Sequence, residues 1–147
     1  MKKRKRELFL SLTTQATAAK VPEYTVQVND VILACPDGTV TTGVGRNQVD
    51  YRFECKEVDS IKISLINKEP GDTKVSSDGT ITEDLYLVID KITVDQIDLT
   101  NKISKISSYI GTDGQVRQTH GYVSFNGCVT VKIHKNLLYT DFLSSLL

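Results

Sequence analysis

Thr119-His120-Gly121-Tyr122-Val123-Ser124-Phe125, then Asn126-Gly127, then Cys128-Val129-Thr130-Val131-Lys132-Ile133-His134 is the stretch that decides how the chain is read. Two runs rich in β-branched and aromatic residues flank an Asn-Gly pair. Asn and Gly tolerate the two positive φ values of a type I′ turn, whose twist matches that of antiparallel strands. The spacing predicts a β-hairpin, and with it an antiparallel β domain.

Working outward, short alternating runs recur. Tyr24, Val26 and Val28 share one face, as do Tyr51, Phe53 and Cys55, and Ile61, Ile63 and Leu65. This is the period of strands with one buried face. Asn29-Asp30 interrupts the first run before Val31-Ile32-Leu33 resumes it. Leu85-Tyr86-Leu87-Val88-Ile89 is a continuous apolar run, read as a strand buried on both faces or in a sandwich core, and Lys91 to Asp95 extends it. Turns are expected at Pro36-Asp37-Gly38, Glu69-Pro70-Gly71-Asp72, Ser77-Asp78-Gly79-Thr80 and Gly111-Thr112-Asp113-Gly114. About seven or eight short strands at this spacing predict an all-β fold, an antiparallel, jelly-roll-like β-sandwich. Two short helical segments are expected beside it. One lies near residues 99–109, where Asp98-Leu99-Thr100 offers a start and Ile103, Ile106 and Ile110 recur at helical spacing. The other covers 137–147, with Leu138, Phe142, Leu143, Leu146 and Leu147 on one stripe.

At 147 residues the chain is long enough for one domain with one core. The expected division is a basic N-terminal arm and linker over residues 1–20 and a sandwich domain over 21–147 that ends in an apolar segment. Eighteen basic residues balance 18 acidic ones, but Lys2, Lys3, Arg4, Lys5 and Arg6 hold five of the basic charges, which leaves an acidic body. Clustered charge of this kind attracts phosphate. The run is short and non-specific, so a solvated terminus, or an arm lying on an acidic neighbour, is preferred to a nucleic-acid contact. The apolar stretch Leu8 to Leu12 opens with Glu7 and is shorter than the roughly 7–15 residues of a secretory core, so no signal peptide is expected. Residues 11–20, dominated by Thr and Ala, read as a linker or a frayed helix. No apolar run reaches the roughly 18–20 residues of a spanning helix, and no membrane partner is expected.

Catalytic patterns are missing. Gly43-Val44-Gly45 lacks the third glycine of a dinucleotide loop and the Gly-Lys-Ser/Thr ending of a phosphate loop. There is no Gly-x-Ser-x-Gly elbow. His120 and His134 have no metal-ligand spacing. Cys35, Cys55 and Cys128 are odd in number with no CxxC spacing, and are read as reduced thiols of a protein made in the cytosol. Glu83, Asp84, Asp90, Asp95 and Asp98 have the oxygen chemistry of calcium ligands but not the Asp-x-Asp-x-Asp-Gly order of a calcium loop. No carboxylate pair stands out for glycoside hydrolysis, whose requirement is spatial. The expectation is no metal, no cofactor and no enzyme. Most aromatics fall on strand positions and suit the core. Without Trp, the residues best placed to stack on a sugar are Tyr51, Tyr86 and Tyr122.

Residues Ile89 to Leu99, His120 to Gly127, Thr130 to His134 and the apolar tail resemble, in that order, the carbohydrate-binding-module-like β-sandwiches of tailed-bacteriophage virion proteins. The resemblance implies a non-enzymatic structural component of a virion (tail, baseplate, neck or capsid accessory), synthesised in the host cytoplasm. Such a part would meet other virion proteins, as a homo-oligomer or within a hetero-assembly, through Lys2, Lys3, Arg4, Lys5, Arg6, Phe142, Leu143, Leu146 and Leu147. The alternative it implies is a glycan-binding module acting through Tyr51, Tyr86 and Tyr122. The lack of Trp and of a calcium cluster sets this chain apart from sugar-binding relatives.

Overall fold

The computed structural model describes residues 6–17, 20–33 and 45–133. In chain order the strands are β1 (Arg6–Ala16), β2 (Tyr24–Val28), β3 (Val31–Ile32), β4 (Gly45–Cys55), β5 (Ser60–Leu65), β6 (Lys74–Val75), β7 (Ile81–Glu83), β8 (Tyr86–Val94) and β9 (Ile97–Asp98). After a helical turn, α1 (Ile103–Ile106), come β10 (Ser107–Gly111), β11 (Val116–Arg117), β12 (Tyr122–Val123) and β13 (Gly127–Lys132). One sheet has the order β12-β8-β1-β4, with β9 also on β8. The other runs β11-β10-β13-β5-β2-β3, and β6-β7 forms a small separate hairpin. Every pairing is antiparallel. The protein is an antiparallel β-sandwich, as its alternation requires.

The core lies between the sheets. Leu8, Leu10 and Leu12 of β1, Tyr51 of β4 and Leu87, Ile89, Ile92 and Val94 of β8 meet Val26, Val28, Ile61, Ile63, Leu65, Tyr109, Val129 and Val131 from the facing sheet. Each fully buried branched side chain contributes about 1.5–3 kcal/mol relative to exposure. The run Leu85–Ile89 is not buried on both faces. Leu85, Leu87 and Ile89 point inward, while Tyr86 and Val88 remain partly exposed on the outer face. A bulge follows: Ser11 lies opposite Lys91 but Leu12 lies opposite Ile89, so Asp90 is the extra residue. The bulge lets Asp90 and Lys91 both face solvent and returns Ile92 to the core.

Residues 6–16 are not an arm and linker. They form a central strand paired with β4 along one side and β8 along the other. Leu8, Leu10, Leu12, Thr14 and Ala16 point inward in alternation, and the small Thr14 and Ala16 are as buried as the leucines. The Thr-rich composition suits a strand. Arg6 belongs to this strand and pairs with Asp95 at 2.5 Å. The helix expected near 99–109 is shorter. A 3₁₀ turn at Thr100–Lys102 leads into α1, and residues 107–111 are already β10, consistent with their β-branched and aromatic content.

The Asn126-Gly127 hairpin is not formed either. β12 pairs with β8 in one sheet, whereas β13 pairs with β10 and β5 in the other, so residues 124–126 arch between the sheets. Among the described residues, the non-glycine positions with positive φ are Asn29 and Asp30 (50° and 66°) and Asp95 and Gln96 (52° and 69°). These two pairs make the tight turns β2-β3 and β8-β9. Asn126 instead reaches across the arch. Its side-chain amide donates to the Lys68 carbonyl and accepts from the Lys68 N–H, both at 2.8 Å. Gly127 is required by proximity: a Cβ there would lie 2.4 Å from the Ile110 carbonyl oxygen and 2.8 Å from Gly111 Cα. The helix expected over 137–147 and the turn at Pro36-Asp37-Gly38 lie outside the described residues.

Candidate functional site

The outer face of the β12-β8-β1-β4 sheet collects the exposed polar and aromatic side chains. Strand register sets the order across it. Tyr122 lies opposite Val88, Tyr86 opposite Gln15, and Gln15 opposite Arg46. Because side chains alternate, these residues share the face that their buried neighbours leave.

Tyr86 and Tyr122 form the centre of this end of the sheet. Their ring centroids are 4.8 Å apart at an interplanar angle of 41°. Tyr122 is 46% exposed. The Arg46 guanidinium donates to the Tyr86 hydroxyl at 3.4 Å, and the Tyr122 hydroxyl donates to Asp84 Oδ2 at 3.5 Å. Burial, and then the neighbouring Asp84 carboxylate, push the Tyr122 phenol up to about 12, so it stays a neutral hydrogen-bond donor through the physiological range.

Asp84 is held firmly behind the tyrosines. Its Oδ1 accepts from Lys68 Nζ at 2.7 Å, from the Thr73 hydroxyl at 2.7 Å and from the Leu85 N–H at 2.8 Å. The side chains of Lys68 and Asp84 are only 10% and 12% exposed. Burial acts to raise the carboxyl pKa, but these hydrogen bonds, that from Lys68 first, outweigh it and hold the group below the ordinary carboxylate range. Oδ1 is fully used, and Oδ2 faces the tyrosine side. The open cleft beyond Lys68, lined by Lys20, Glu23, Asn67 and Glu69, has its polar groups turned on one another: Lys20 binds Asp72 and the Asn67 carbonyl, and Asn67 binds Val21 and Glu23.

The three tyrosines expected to act together do not. Tyr51 is 5% exposed in the core, where its hydroxyl donates to that of Tyr24 at 3.1 Å. Tyr86 and Tyr122 do meet. Arg46, Gln15 and Asp84 were not expected beside them, although the inward spacing of Leu85, Leu87 and Ile89 already implied an outward Tyr86. The acidic series disperses: Glu83 pairs with Lys74, Asp84 with Lys68, Asp95 with Arg6, Asp90 accepts from Thr13, and Asp98 accepts from Thr100. Among the described residues no three His, Cys, Asp or Glu side chains group as metal ligands. Cys55 and Cys128 are free thiols, and Cys35 and His134 lie outside the described residues. His120 is exposed. Lys2, Lys3, Arg4, Lys5, Phe142, Leu143, Leu146 and Leu147 also lie outside the described residues. Among the described residues no helix is long and apolar enough to cross a membrane.

The sheet order and the position of the core allow comparison with known folds. The fold is similar to that of a carbohydrate-binding module. The solved structure is vCBM60, studied as part of a link by circular permutation between two families of calcium-dependent carbohydrate-binding modules. The match has a TM-score of 0.51 and covers 88% of this chain and 96% of that one, at 12% sequence identity. No protein-family model and no curated protein matches the sequence. At this identity the likeness concerns the fold. The carboxylate nearest the tyrosines already has an ammonium group at 2.7 Å, where a cation would have to compete with Lys68.

Proposed function

We propose that this protein is a non-catalytic glycan-binding module whose contact surface is centred on Tyr86 and Tyr122. The observation that carries the reading is the pair of adjoining, solvent-facing phenol rings on the outer face of a sandwich of carbohydrate-binding-module type. A pyranose has a face of C–H groups and an edge of hydroxyls. Tyrosine rings offer apolar area to the first and a polar tip to the second. Arg46 is a donor, Asp84 Oδ2 an acceptor, and Gln15 either, so hydroxyls around a stacked sugar find partners. The scaffold is preorganised, because the rings sit on paired strands and Asp84 is fixed by three hydrogen bonds. Binding needs no calcium on this reading, since Lys68 already compensates the Asp84 charge.

The assembly role implied by the phage resemblance has less support. It rests on residues 2–6 and 142–147. Of these only Arg6 is among the described residues, and it is engaged in the fold with Asp95. The fold likeness favours glycan binding and carries no sign of a virion.

The test is affinity electrophoresis and array binding against a broad polysaccharide panel, each run with calcium and with EDTA. Retention by at least one polysaccharide, unchanged by EDTA, is expected. Tyr122→Ala should weaken it roughly tenfold or more, as for loss of a central aromatic contact, while Tyr51→Phe leaves it intact. No retention by any glycan would refute the reading.

A further inference from the structure

We propose that the contact surface runs the length of β1 to a second aromatic station at Phe9, so that the ligand is a linear, uncharged polysaccharide segment lying along the strands. The proposal rests on the glycan-binding reading above. Phe9 is on the same outer face as Gln15, six residues away along β1, which at strand rise is about 20 Å, or the length of roughly four linked sugars. Its ring lies under the Arg52 guanidinium, 4.8 Å from the centroid. A cavity of about 290 Å³ opens there, lined among others by Glu7, Phe9, Arg52, Glu54, Thr93 and Gln96. That volume is just below the roughly 300 Å³ at which small-molecule pockets begin, as suits one contact along a longer surface.

The pairing inside this cavity is costly to the fold. Glu7 lies directly opposite Glu54 across the β1-β4 ladder, both are exposed, and neither has an ion-pair partner among the described residues. Like charges facing each other across a sheet are destabilising, and such local conflicts concentrate where a protein works. Two carboxylates beside an aromatic ring form acceptors for the hydroxyls of a stacked sugar. Between the two stations the face offers the exposed Gln48, Asp50 and Asp90. The buried Ser11 holds the first two from beneath, donating to Asp50 at 2.7 Å and accepting from Gln48 at 3.0 Å, and the half-buried Thr13 donates to Asp90.

Charge selects the ligand class. The face carries Arg46, Arg52 and Lys91 against Asp50, Asp90, Glu7 and Glu54, with both signs interspersed. A polyanion or polycation would meet like charge along its length, whereas a neutral polyol chain meets donors and acceptors throughout.

The polysaccharide best retained by the full chain in the panel, cut into oligomers of defined length, tests this by calorimetry. Affinity should rise at least tenfold from the two-sugar to the six-sugar oligomer and then level off. Phe9→Leu and, on the exposed strand, Glu54→Gln should remove that gain while leaving the two-sugar affinity near wild type, whereas Tyr122→Ala weakens every length. Equal affinity for short and long oligomers, or a full length gain in both variants at Phe9 and Glu54, overturns the second station and leaves the tyrosine site standing. Retention of no polysaccharide overturns both.

Discussion

Replacing Asn126 with glycine separates two accounts of the Asn-Gly pair. In a type I′ hairpin, glycine is welcome at the first central position, and the change would be almost neutral. In the arch it deletes a clamp: two 2.8 Å hydrogen bonds between the Asn126 amide and the Lys68 main chain. Each such bond contributes about 0.5–1.5 kcal/mol net, and more where the partner is left without water. Glycine adds up to about 1 kcal/mol through the freer unfolded chain. The expected loss is therefore about 3 kcal/mol. For a chain of this size that lowers Tm by about 6–12 °C. The Thr112 N–H to Asn126 carbonyl bond survives the change, so the effect reports the side chain alone. With no Trp in the chain, far-UV circular dichroism through a urea titration is the suitable readout. The midpoint should fall with the m-value unchanged. A loss below about 0.5 kcal/mol would refute the arch geometry, because it would mean that Lys68 had never been held by Asn126.

Three further outcomes follow from the same geometry. Gly127→Ala forces a methyl onto the backbone of Ile110 and Gly111, neither of which can swing aside as a side chain would, and should cost at least about 1–3 kcal/mol in urea unfolding; wild-type stability would contradict the close approach. Gln96→Gly, at an exposed φ of 69°, should stabilise the protein by about 0.5–1 kcal/mol by relieving a left-handed conformation, and a measurable loss would count against the β8-β9 turn. Asp84→Asn should cost about 3–5 kcal/mol at neutral pH by leaving Lys68 charged and unpaired. Folding lowers the Asp84 pKa, so the unfolded chain binds the proton more readily. The carboxylate's stabilising contribution is complete above the unfolded value of about 3.9 and is lost as pH falls through the lower folded value. The gap between wild type and the Asn variant should therefore close on acidification below about pH 4; a gap constant from pH 7 to 2 would exclude the Lys68 pair as its source.

Much of the sandwich was legible in the residues. The alternation of Ile61, Ile63 and Leu65, and of Tyr24, Val26 and Val28, reports a buried and an open face directly, and both strands lie as read. Turn chemistry was equally local: Glu69 to Asp72 and Ser77 to Thr80 turn where expected, the latter with Gly79 at a φ of 89°. Residues 6–16 were misread as arm and linker because a run of basic residues leads into a stretch dominated by Thr and Ala, in which no apolar period stands out. The evidence to the contrary was the regular spacing through Thr14 and Ala16, whose small side chains carry little hydrophobic signal although their places in the core are fixed. The candidate site was half legible. Tyr86 and Tyr122 could be named, but Tyr51 has the same composition and a similar strand setting, and only the opposite side of its sheet removes it.

For strands such as β2 and β5, identity and inward face were settled by neighbouring residues, as were several turns, because a two-residue period and the φ demands of a tight turn act over a few positions. The partners of those strands were settled by tertiary structure. Asn126 and Lys68 are 58 residues apart, and the pairings that choose one sheet over the other, such as Leu8 with Val94 and Ile63 with Val129, are also distant in sequence. An Asn-Gly pair is equally content in a hairpin or an arch, and the choice falls to the packing of Val123 in one sheet and Val129 in the other. The meeting of Tyr86 with Tyr122 follows from that choice, since only an arch returns the chain from the edge of one sheet to the middle of the other.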